Sequence, residues 1–121
     1  MRAMPVMMLA VLVATVACDG EKRAPRTDGD TARGRQALER YGCGACHQIP
    51  GVQGARGIVG PSLRGIAGRP YLAGRLPNDP VNLVAWIRQP RAVDAQTIMP
   101  ALAVSDADAR DIVAFLSALT R

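Results

Sequence analysis

The segment Cys43-Gly44-Ala45-Cys46-His47 decides how this 121-residue chain is interpreted. It carries two thiols three positions apart, with a histidine directly after the second. On one helical turn, each thiol can form a thioether with a vinyl group of haem, and the histidine is then placed to bind the iron from one side. The pattern C-x-x-C-H therefore predicts one covalently attached c-type haem.

The rest of the chain restricts the second iron ligand. His47 is the only histidine, so two histidines of one chain cannot bind the iron. Four of the five methionines lie within the first eight residues, and the fifth is Met99. Pro100 favours extended backbone in the residue before it, which suits a loop that presents a thioether. A lone methionine is otherwise a core filler, but beside a haem motif Met99 is predicted to be the second ligand.

The stretch Gly60-Pro61-Ser62-Leu63 lies between the two predicted ligands. On its own the Gly-Pro pair is typical of a turn. Together with the haem motif and Met99, it makes residues 31–121 resemble a class I cytochrome c. The resemblance implies an all-α cytochrome c fold of three to five helices wrapped around one haem. It also implies that the Pro61 carbonyl accepts a hydrogen bond from the His47 nitrogen that does not face the iron.

Helical periodicity is clearest near the C-terminus. The apolar positions there are Ile112, Val113, Leu116 and Leu119, at spacings i, i+1, i+4 and i+7. Ser105 is the predicted N-cap of this helix, aspartates follow in its first turn, and Arg121 is expected at its end, the order that the helix dipole favours.

Two further helices are predicted. One runs from Thr31 to Tyr41, with Asp30 or Thr31 as its cap, and one runs from Asn78-Asp79-Pro80 to about Pro90. The first contains Gly34, a poor helix former. The resemblance implies that Gly34 lets this helix cross the C-terminal helix closely, against Phe115. No strand is predicted, and residues 48–56 and 65–77 are expected to form loops around the haem.

Aromatic residues make up only 3% of the chain, so few large rings are present to fill a core. A buried porphyrin would supply flat apolar volume to a domain of this size. Trp86 lies in the third predicted helix. It is expected either to pack on the haem edge or bind a propionate, or to be an ordinary buried tryptophan.

The N-terminus indicates export. The apolar run over residues 5–17 is too short to span a bilayer and fits a signal peptide, which also suits c-type haem attachment outside the cytoplasm. We assign residues 1–17 to the signal peptide, 18–30 to a flexible tether and 31–121 to the haem domain. The tether carries charged and small residues that bury little surface.

Cys18 is left unpaired, because the haem motif uses the other two cysteines. Ala17 before it resembles a bacterial lipoprotein cleavage site, although Thr15 stands where leucine is usual. Lipidation of Cys18 is therefore predicted, and simple cleavage nearby and an uncleaved anchor remain the alternatives. The location implied is the periplasmic side of the inner membrane, lipid-anchored, or a soluble periplasmic protein.

The charge is basic, with a net value of +5 for the whole chain. A basic rim around the haem edge would steer the protein to an acidic partner, and the alternative is a generic arginine-rich surface. The loop arginines expected in such a rim are Arg56, Arg64, Arg69 and Arg75. Nucleic acid binding is disfavoured, because no basic helix or set of stacking aromatic residues accompanies the charge.

Three functional classes remain. A one-electron carrier, not an enzyme, would have both iron positions filled, whereas a haem-based sensor would need a labile Met99. A thiol redox pair or zinc half-site at Cys43 and Cys46 would lack the strands or the second ligand set. The resemblance to modules associated with terminal oxidases implies an oxidase as electron acceptor, and a quinol-oxidising complex or another cytochrome as donor.

Overall fold

A computed structural model describes residues 27–121 of the chain. Its elements are α1 (Thr31–Arg40), a 3₁₀ turn (Cys43–Ala45), a second 3₁₀ turn (Ile66–Gly68), β1 (Tyr71–Leu72), β2 (Leu76–Pro77), α2 (Pro80–Arg88), α3 (Pro90–Val93) and α4 (Asp106–Ser117). Helices supply nearly all of the regular structure in this part of the chain. The predicted all-α fold is confirmed.

The three longer helices begin where a side chain caps them. The capping residues are Asp30, Asp79 and Ser105, and each side-chain oxygen accepts a hydrogen bond from the backbone N–H three residues later. Such a cap satisfies one of the N–H groups that a helix leaves without a partner. The three predicted helix starts are confirmed.

The structure differs from the predictions at the end of α4 and in one additional short helix. Helix α4 ends at Ser117, so Arg121 lies four residues beyond it and not at its end. The last backbone hydrogen bonds there are short-range, with Leu119 N–H donating to Leu116. A short helix α3 begins at Pro90, where the third helix was expected to end, because proline is well suited to the first helical position.

The prediction of no strand was wrong for four residues. Strands β1 and β2 pair antiparallel, with Tyr71 opposite Pro77 and Leu72 opposite Leu76. The reversal is made by Ala73 and Gly74, which have positive φ values of 50° and 65°. Two successive residues in this conformation form the turn that suits a tight hairpin. The strands are too short to show the alternating pattern that identifies a strand in a sequence.

Helices α1 and α4 cross closely at Gly34. A Cβ atom at Gly34 would overlap the backbone carbonyl of Asp111 and lie 3.0 Å from Cβ of Phe115. The glycine is needed because the two backbones touch there, and any side chain would push the helices apart. The expected crossing of these helices against Phe115 is confirmed.

Asp111 connects the two helices beside this crossing. Its carboxylate accepts hydrogen bonds from the backbone N–H of Asp30 and from Nε of Arg33, both at 2.7 Å, and its side chain is only 8% exposed. The Arg33 guanidinium and the Asp30 N–H lower the pKa of Asp111, so it is ionised at neutral pH. The start of α1 is therefore held on α4 by a paired, buried charge.

The apolar core lies between α1, α2 and α4. Its most buried large side chains are Leu38, Ile112 and Val113. Of the helices in residues 27–121, none has the length and apolar character needed to cross a membrane.

Contacts with α4 begin before the first helix. Asp28 lies 3.2 Å from the Arg110 guanidinium, and Gly29 packs against the Arg110 backbone. Residues 28–30, which we assigned to the tether from the sequence, thus contact α4. The predicted signal peptide, Cys18 and most of the predicted tether lie outside the described residues.

Replacing Gly34 by alanine tests the helix crossing. Overlap with the Asp111 carbonyl should lower the free energy of unfolding by about 1–3 kcal/mol, in spite of the better helix propensity of alanine. Gln36→Ala, at an exposed position of the same helix, is the control and should change stability by less than about 0.5 kcal/mol. Denaturant unfolding measures both, and a stabilised Gly34→Ala variant would contradict the close crossing.

Candidate functional site

The C-x-x-C-H segment follows α1 through one sharp turn. Gly42 has φ of 71°, a left-handed conformation that ends the helix and that glycine adopts without strain. The chain then enters the 3₁₀ turn at Cys43, and the His47 N–H donates to the Cys43 carbonyl at 3.1 Å. Both thiols and the imidazole are therefore carried on one compact turn directly attached to α1.

Cys43 and Cys46 are both free thiols, and both are half-buried. Burial raises the pKa of the Cys43 thiol, and the neighbouring Cys46 acts in the same direction. A redox-active cysteine pair needs a lowered pKa on its attacking thiol. The direction of the Cys43 shift therefore gives no support to a thioredoxin-like pair.

The loop after the segment folds back onto it. A Cβ at Gly44 would come within 2.7 Å of Ala55, and a Cβ at Gly57 would overlap the backbone of Ala45 and Cys46. The Gly57 N–H donates to the Gly44 carbonyl at 3.0 Å. Two glycines thus allow backbone to lie directly on backbone, which fixes the thiol-bearing turn from the outside.

His47 is held in one orientation. Its Nδ1 lies 2.7 Å from the carbonyl oxygen of Pro61, and a Cβ at Gly60 would overlap the imidazole ring. With Nδ1–H donating to that carbonyl, Nε2 carries the free lone pair that a metal requires. The contact implied by the resemblance is present in the structure, and Gly60 leaves room for the ring.

Three hydrogen bonds hold the Pro61 carbonyl in place. The Gly60 N–H donates to the Cys46 carbonyl and the Leu63 N–H donates to the Gln48 carbonyl, each at 2.8 Å. The Arg69 guanidinium donates to the carbonyl of Ser62, next to Pro61. The acceptor of the His47 hydrogen bond is therefore anchored on both sides.

Arg69 and Asn78 make contacts at the site that the sequence did not reveal. Besides its contact with Ser62, the Arg69 guanidinium donates to the Arg64 carbonyl at 3.1 Å. The Asn78 side chain donates to the carbonyls of Ile66 and Arg69, both at 2.8 Å. The loop is rich in glycine and proline. The hydrogen bonds from these two side chains hold its backbone where regular secondary structure is absent. Nothing in their local sequence distinguishes them from ordinary loop residues.

Met99 lies in the segment between α3 and α4. It is half-buried, and its N–H donates to the Thr97 hydroxyl at 3.2 Å. The segment is outside regular secondary structure, as the proline after Met99 led us to expect. Ala103 in the same segment has φ of 55°, a left-handed conformation that is uncommon for residues other than glycine.

Large apolar side chains are exposed in the segments that carry the predicted iron ligands. Ile58 and Val59 are 85% and 63% exposed, in the loop that packs on the C-x-x-C-H turn. Ile98 is 78% exposed beside Met99. Exposed apolar side chains of this size often mark a surface that a partner or ligand covers. The two thiols, the imidazole and the thioether are the donor set that haem c requires.

Trp86 lies in α2, half-buried against the core. Its indole N–H makes no hydrogen bond to another side chain or carbonyl of the described residues. Its predicted contact with the haem edge or a propionate stays a prediction. In residues 27–121 no three side chains of histidine, cysteine, aspartate or glutamate form a group that could hold a metal ion, which gives the zinc alternative no support.

The fold and the site together define a protein built to hold one c-type haem covalently. The family model for cytochrome c matches residues 31–120. The chain belongs to the cytochrome c family, whose members bind a covalent haem c and carry electrons, and it has the cytochrome c fold.

Two known proteins are similar in sequence. Cytochrome c oxidase subunit 2 of Alkalihalophilus pseudofirmus is 35% identical over 88 residues, which cover 72% of this chain and 25% of that protein. Cytochrome c2 of Agrobacterium tumefaciens is 50% identical over 42 residues, which cover 35% of this chain and 34% of that protein. The chain thus spans a quarter to a third of the length of these relatives.

Solved structures of low sequence identity share the fold. SoxXA from P. pantotrophus has a TM-score of 0.62 at 20% identity, covering 77% of this chain and 83% of that one. Cytochrome c2 from Rhodobacter sphaeroides has a TM-score of 0.54 at 21% identity, with coverages of 77% and 98%. SorU from Sinorhizobium meliloti has a TM-score of 0.52 at 22% identity, with coverages of 74% and 90%.

Covalent attachment is tested by removing the thiols. Protein matured with a haem-attachment system should keep its haem through acid-acetone extraction and denaturing electrophoresis, because two thioethers hold it. Cys43→Ala or Cys46→Ala should weaken or abolish haem retention. Cys18→Ala is the matched control and should leave the haem content and spectrum unchanged. Complete loss of haem from the unaltered protein would contradict covalent attachment.

Proposed function

We propose that this protein is an exported one-electron carrier whose haem iron is bound by His47 and Met99, and that it delivers electrons to a terminal oxidase. The observation that carries the proposal is the fixed orientation of His47 by the Pro61 carbonyl at 2.7 Å. With Nδ1–H donating to that carbonyl, Nε2 is the nitrogen left with a free lone pair, and it is the one that we propose binds the iron.

The hydrogen bond to Pro61 has a chemical effect on His47. It fixes the ring orientation and raises the basicity of Nε2, which strengthens an axial bond. Because the Pro61 carbonyl is itself anchored through Gly60, Leu63 and Arg69, the imidazole has little freedom to rotate. The ligand would therefore keep its position when the iron changes charge.

Met99 is the proposed ligand on the opposite side. It is the only methionine after residue 8 and lies in an irregular segment with an exposed apolar residue beside it. A histidine and methionine pair fills both axial positions and raises the reduction potential relative to ligation by two imidazoles. The bound haem would supply the iron that gains and loses one electron, while the chain holds both ligands and excludes water.

Support for an oxidase partner comes from the relative in Alkalihalophilus pseudofirmus, a subunit of cytochrome c oxidase that contains a region similar to 88 residues of this chain. A domain of this type beside an oxidase would pass electrons to it. We propose a terminal oxidase as acceptor and a quinol-oxidising complex or another cytochrome as donor.

The N-terminal residues support export and a membrane tether. The signal-like run over residues 5–17, followed by Cys18, fits a lipoprotein. A diacylated cysteine carries two acyl chains, enough for stable anchoring where one would be marginal. Cys18 would then lie ten residues before Asp28, where contact with α4 begins. We propose that the haem domain is held in this way at the periplasmic face of the inner membrane.

The distribution of charge supports a docking surface in the loops. Within residues 27–121, each arginine of α1, α2 and α4 lies within 4.0 Å of a carboxylate, as does Arg75, which is 3.4 Å from Asp94. Arg56 and Arg64 make no such ion pair. Both lie in the loops on either side of Pro61. Within residues 27–121, Arg69, Arg91 and Arg121 also lack such an ion pair, so part of the uncompensated positive charge is on the loops that hold His47, and Arg75 does not contribute to it.

The proposed iron ligation is tested through Met99. Oxidised protein should be low spin and show the weak red absorption of sulfur bound to ferric haem. Met99→Ala should abolish that band, lower the reduction potential and open the iron to imidazole or cyanide, because the axial thioether is lost. Leu102→Ala, in the same segment, is the control and should keep the band. Rapid binding of carbon monoxide by reduced unaltered protein would favour a sensor over a carrier.

The proposed docking surface is tested through salt. Electron transfer between an oxidase and a soluble version beginning at Thr27 should slow as salt rises. Most of the effect should come below about 0.15 M, where the Debye length exceeds roughly 8 Å. Arg64→Glu should slow the reaction at low salt, because it reverses an unpaired loop charge. Arg35→Glu makes the same charge change on α1 and should have a smaller effect. A rate independent of salt would contradict electrostatic steering.

A further inference from the structure

Three side chains converge on Asp108, in the first turn of α4. The Tyr41 hydroxyl donates to Oδ2 of Asp108 at 2.7 Å, and the Arg40 guanidinium donates to Oδ1 at 2.7 Å. The Ser105 hydroxyl donates to Oδ2 at 2.9 Å, and the Asp108 N–H donates back to Ser105 Oγ at 3.1 Å. One carboxylate thus joins the end of α1 to the start of α4. Neither the haem motif nor the ligation of iron by His47 and Met99 uses it.

The position of these residues in the chain gives the network a function. Tyr41 lies two residues before Cys43, so the position of Tyr41 is coupled to that of the haem-attachment turn. Ser105 is the first residue after the segment 99–104, and its N–H lies 3.5 Å from the Tyr41 hydroxyl. The network therefore connects the haem-attachment turn to the end of the segment that carries Met99.

We infer that Asp108 and Tyr41 are positioning residues for Met99, because they fix the end of the Met99 segment relative to the haem-attachment turn. The inference rests on the proposed role of Met99 as an iron ligand. Neither residue is hydrogen-bonded to His47 or Met99 among the described residues, so we infer that both act through the backbone between Met99 and Ser105.

A second contact holds the same end of the segment. Nε of Arg88, in α2, donates to the Val104 carbonyl at 3.3 Å, and Val104 is only 5% exposed. Ala103 is held in a left-handed conformation directly before it, with φ of 55°. Such a conformation persists only where the surrounding contacts determine it. The return of the chain from Met99 to α4 is therefore fixed from α1 and from α2.

Fixing this end of the segment raises the effective concentration of the Met99 thioether at the iron. A ligand on a segment with both ends held samples few positions when it dissociates, so it rebinds in preference to a free ligand. Releasing one end increases the conformations open to the dissociated segment. External ligands then compete more successfully, even though Met99 itself is unchanged.

A purely structural role for Asp108 predicts a different result, and Asp111 supplies the comparison. Both aspartates lie on α4 and accept hydrogen bonds from an arginine of α1. Asp111 joins α4 to the start of α1, whereas Asp108 joins it to the end that carries the haem motif. Replacing either by asparagine removes one negative charge and one connection between the same two helices. Only the Asp108 variant removes a contact at the end of the Met99 segment.

The test is an imidazole titration of the oxidised, haem-loaded full chain. Asp108→Asn should bind imidazole about threefold to tenfold more tightly than the unaltered protein, the factor expected for losing one hydrogen bond. Tyr41→Phe should shift the affinity in the same direction, because it removes one hydroxyl and no charge. Asp111→Asn should lower the thermal midpoint and keep imidazole affinity within about twofold.

Equal tightening by Asp111→Asn would overturn the inference, because it would show general loosening of the α1–α4 contact. Unchanged affinity in both Asp108→Asn and Tyr41→Phe, with the red absorption band intact, would overturn it while leaving Met99 as ligand. If Asp108→Asn fails to mature, Tyr41→Phe decides alone. Absence of the band from the unaltered protein would instead contradict the proposed ligation itself.

Discussion

Contact between the backbones of α1 and α4 at Gly34 is the constraint on which the rest of the structure depends. The haem-attachment turn follows α1 after a single left-handed glycine, so the position of α1 sets the position of both thiols and His47. The Met99 segment ends where α4 begins, so the position of α4 sets one end of that segment. One helix crossing thus fixes the haem-attachment turn relative to the end of the segment that carries Met99.

Around the haem-attachment turn, the packing contacts are made by backbone atoms where side chains would usually make them. Gly44, Gly57 and Gly60 bring the following loop directly onto the turn and leave space for the imidazole. The resulting hydrogen bonds join the loop to the turn, and the Arg69 guanidinium adds a hydrogen bond to the Ser62 carbonyl. A region with almost no regular secondary structure acquires a defined shape because its polar backbone groups are paired. That shape is what gives His47 a single orientation.

The sequence revealed the features that depend on local chemistry. Helix caps at Asp30, Asp79 and Ser105 act within three residues, and the haem motif acts within five, so both can be recognised without a structure. The contacts of Arg69 with Ser62 and of Tyr41 with Asp108 join distant or irregular parts of the chain. No local sequence pattern predicts such pairs, because only the folded backbone brings the two residues together. The two strands were not predicted for a different reason. Two residues are too few to show the alternation of side chains that identifies a strand in a sequence.

The two ends of the described chain lie at different parts of the haem domain, and this bears on how such a domain can be built into larger proteins. Asp28 is held on α4 by Arg110, whereas the backbone of Arg121 lies 3.8 Å from the Cβ that Gly65 lacks, on the loop that follows Pro61. A polypeptide joined before Thr27 would leave the Pro61 loop accessible. One joined after Arg121 would emerge beside that loop, where we propose that a redox partner docks. Fusion before Thr27 would instead place the added polypeptide next to Arg110 on α4.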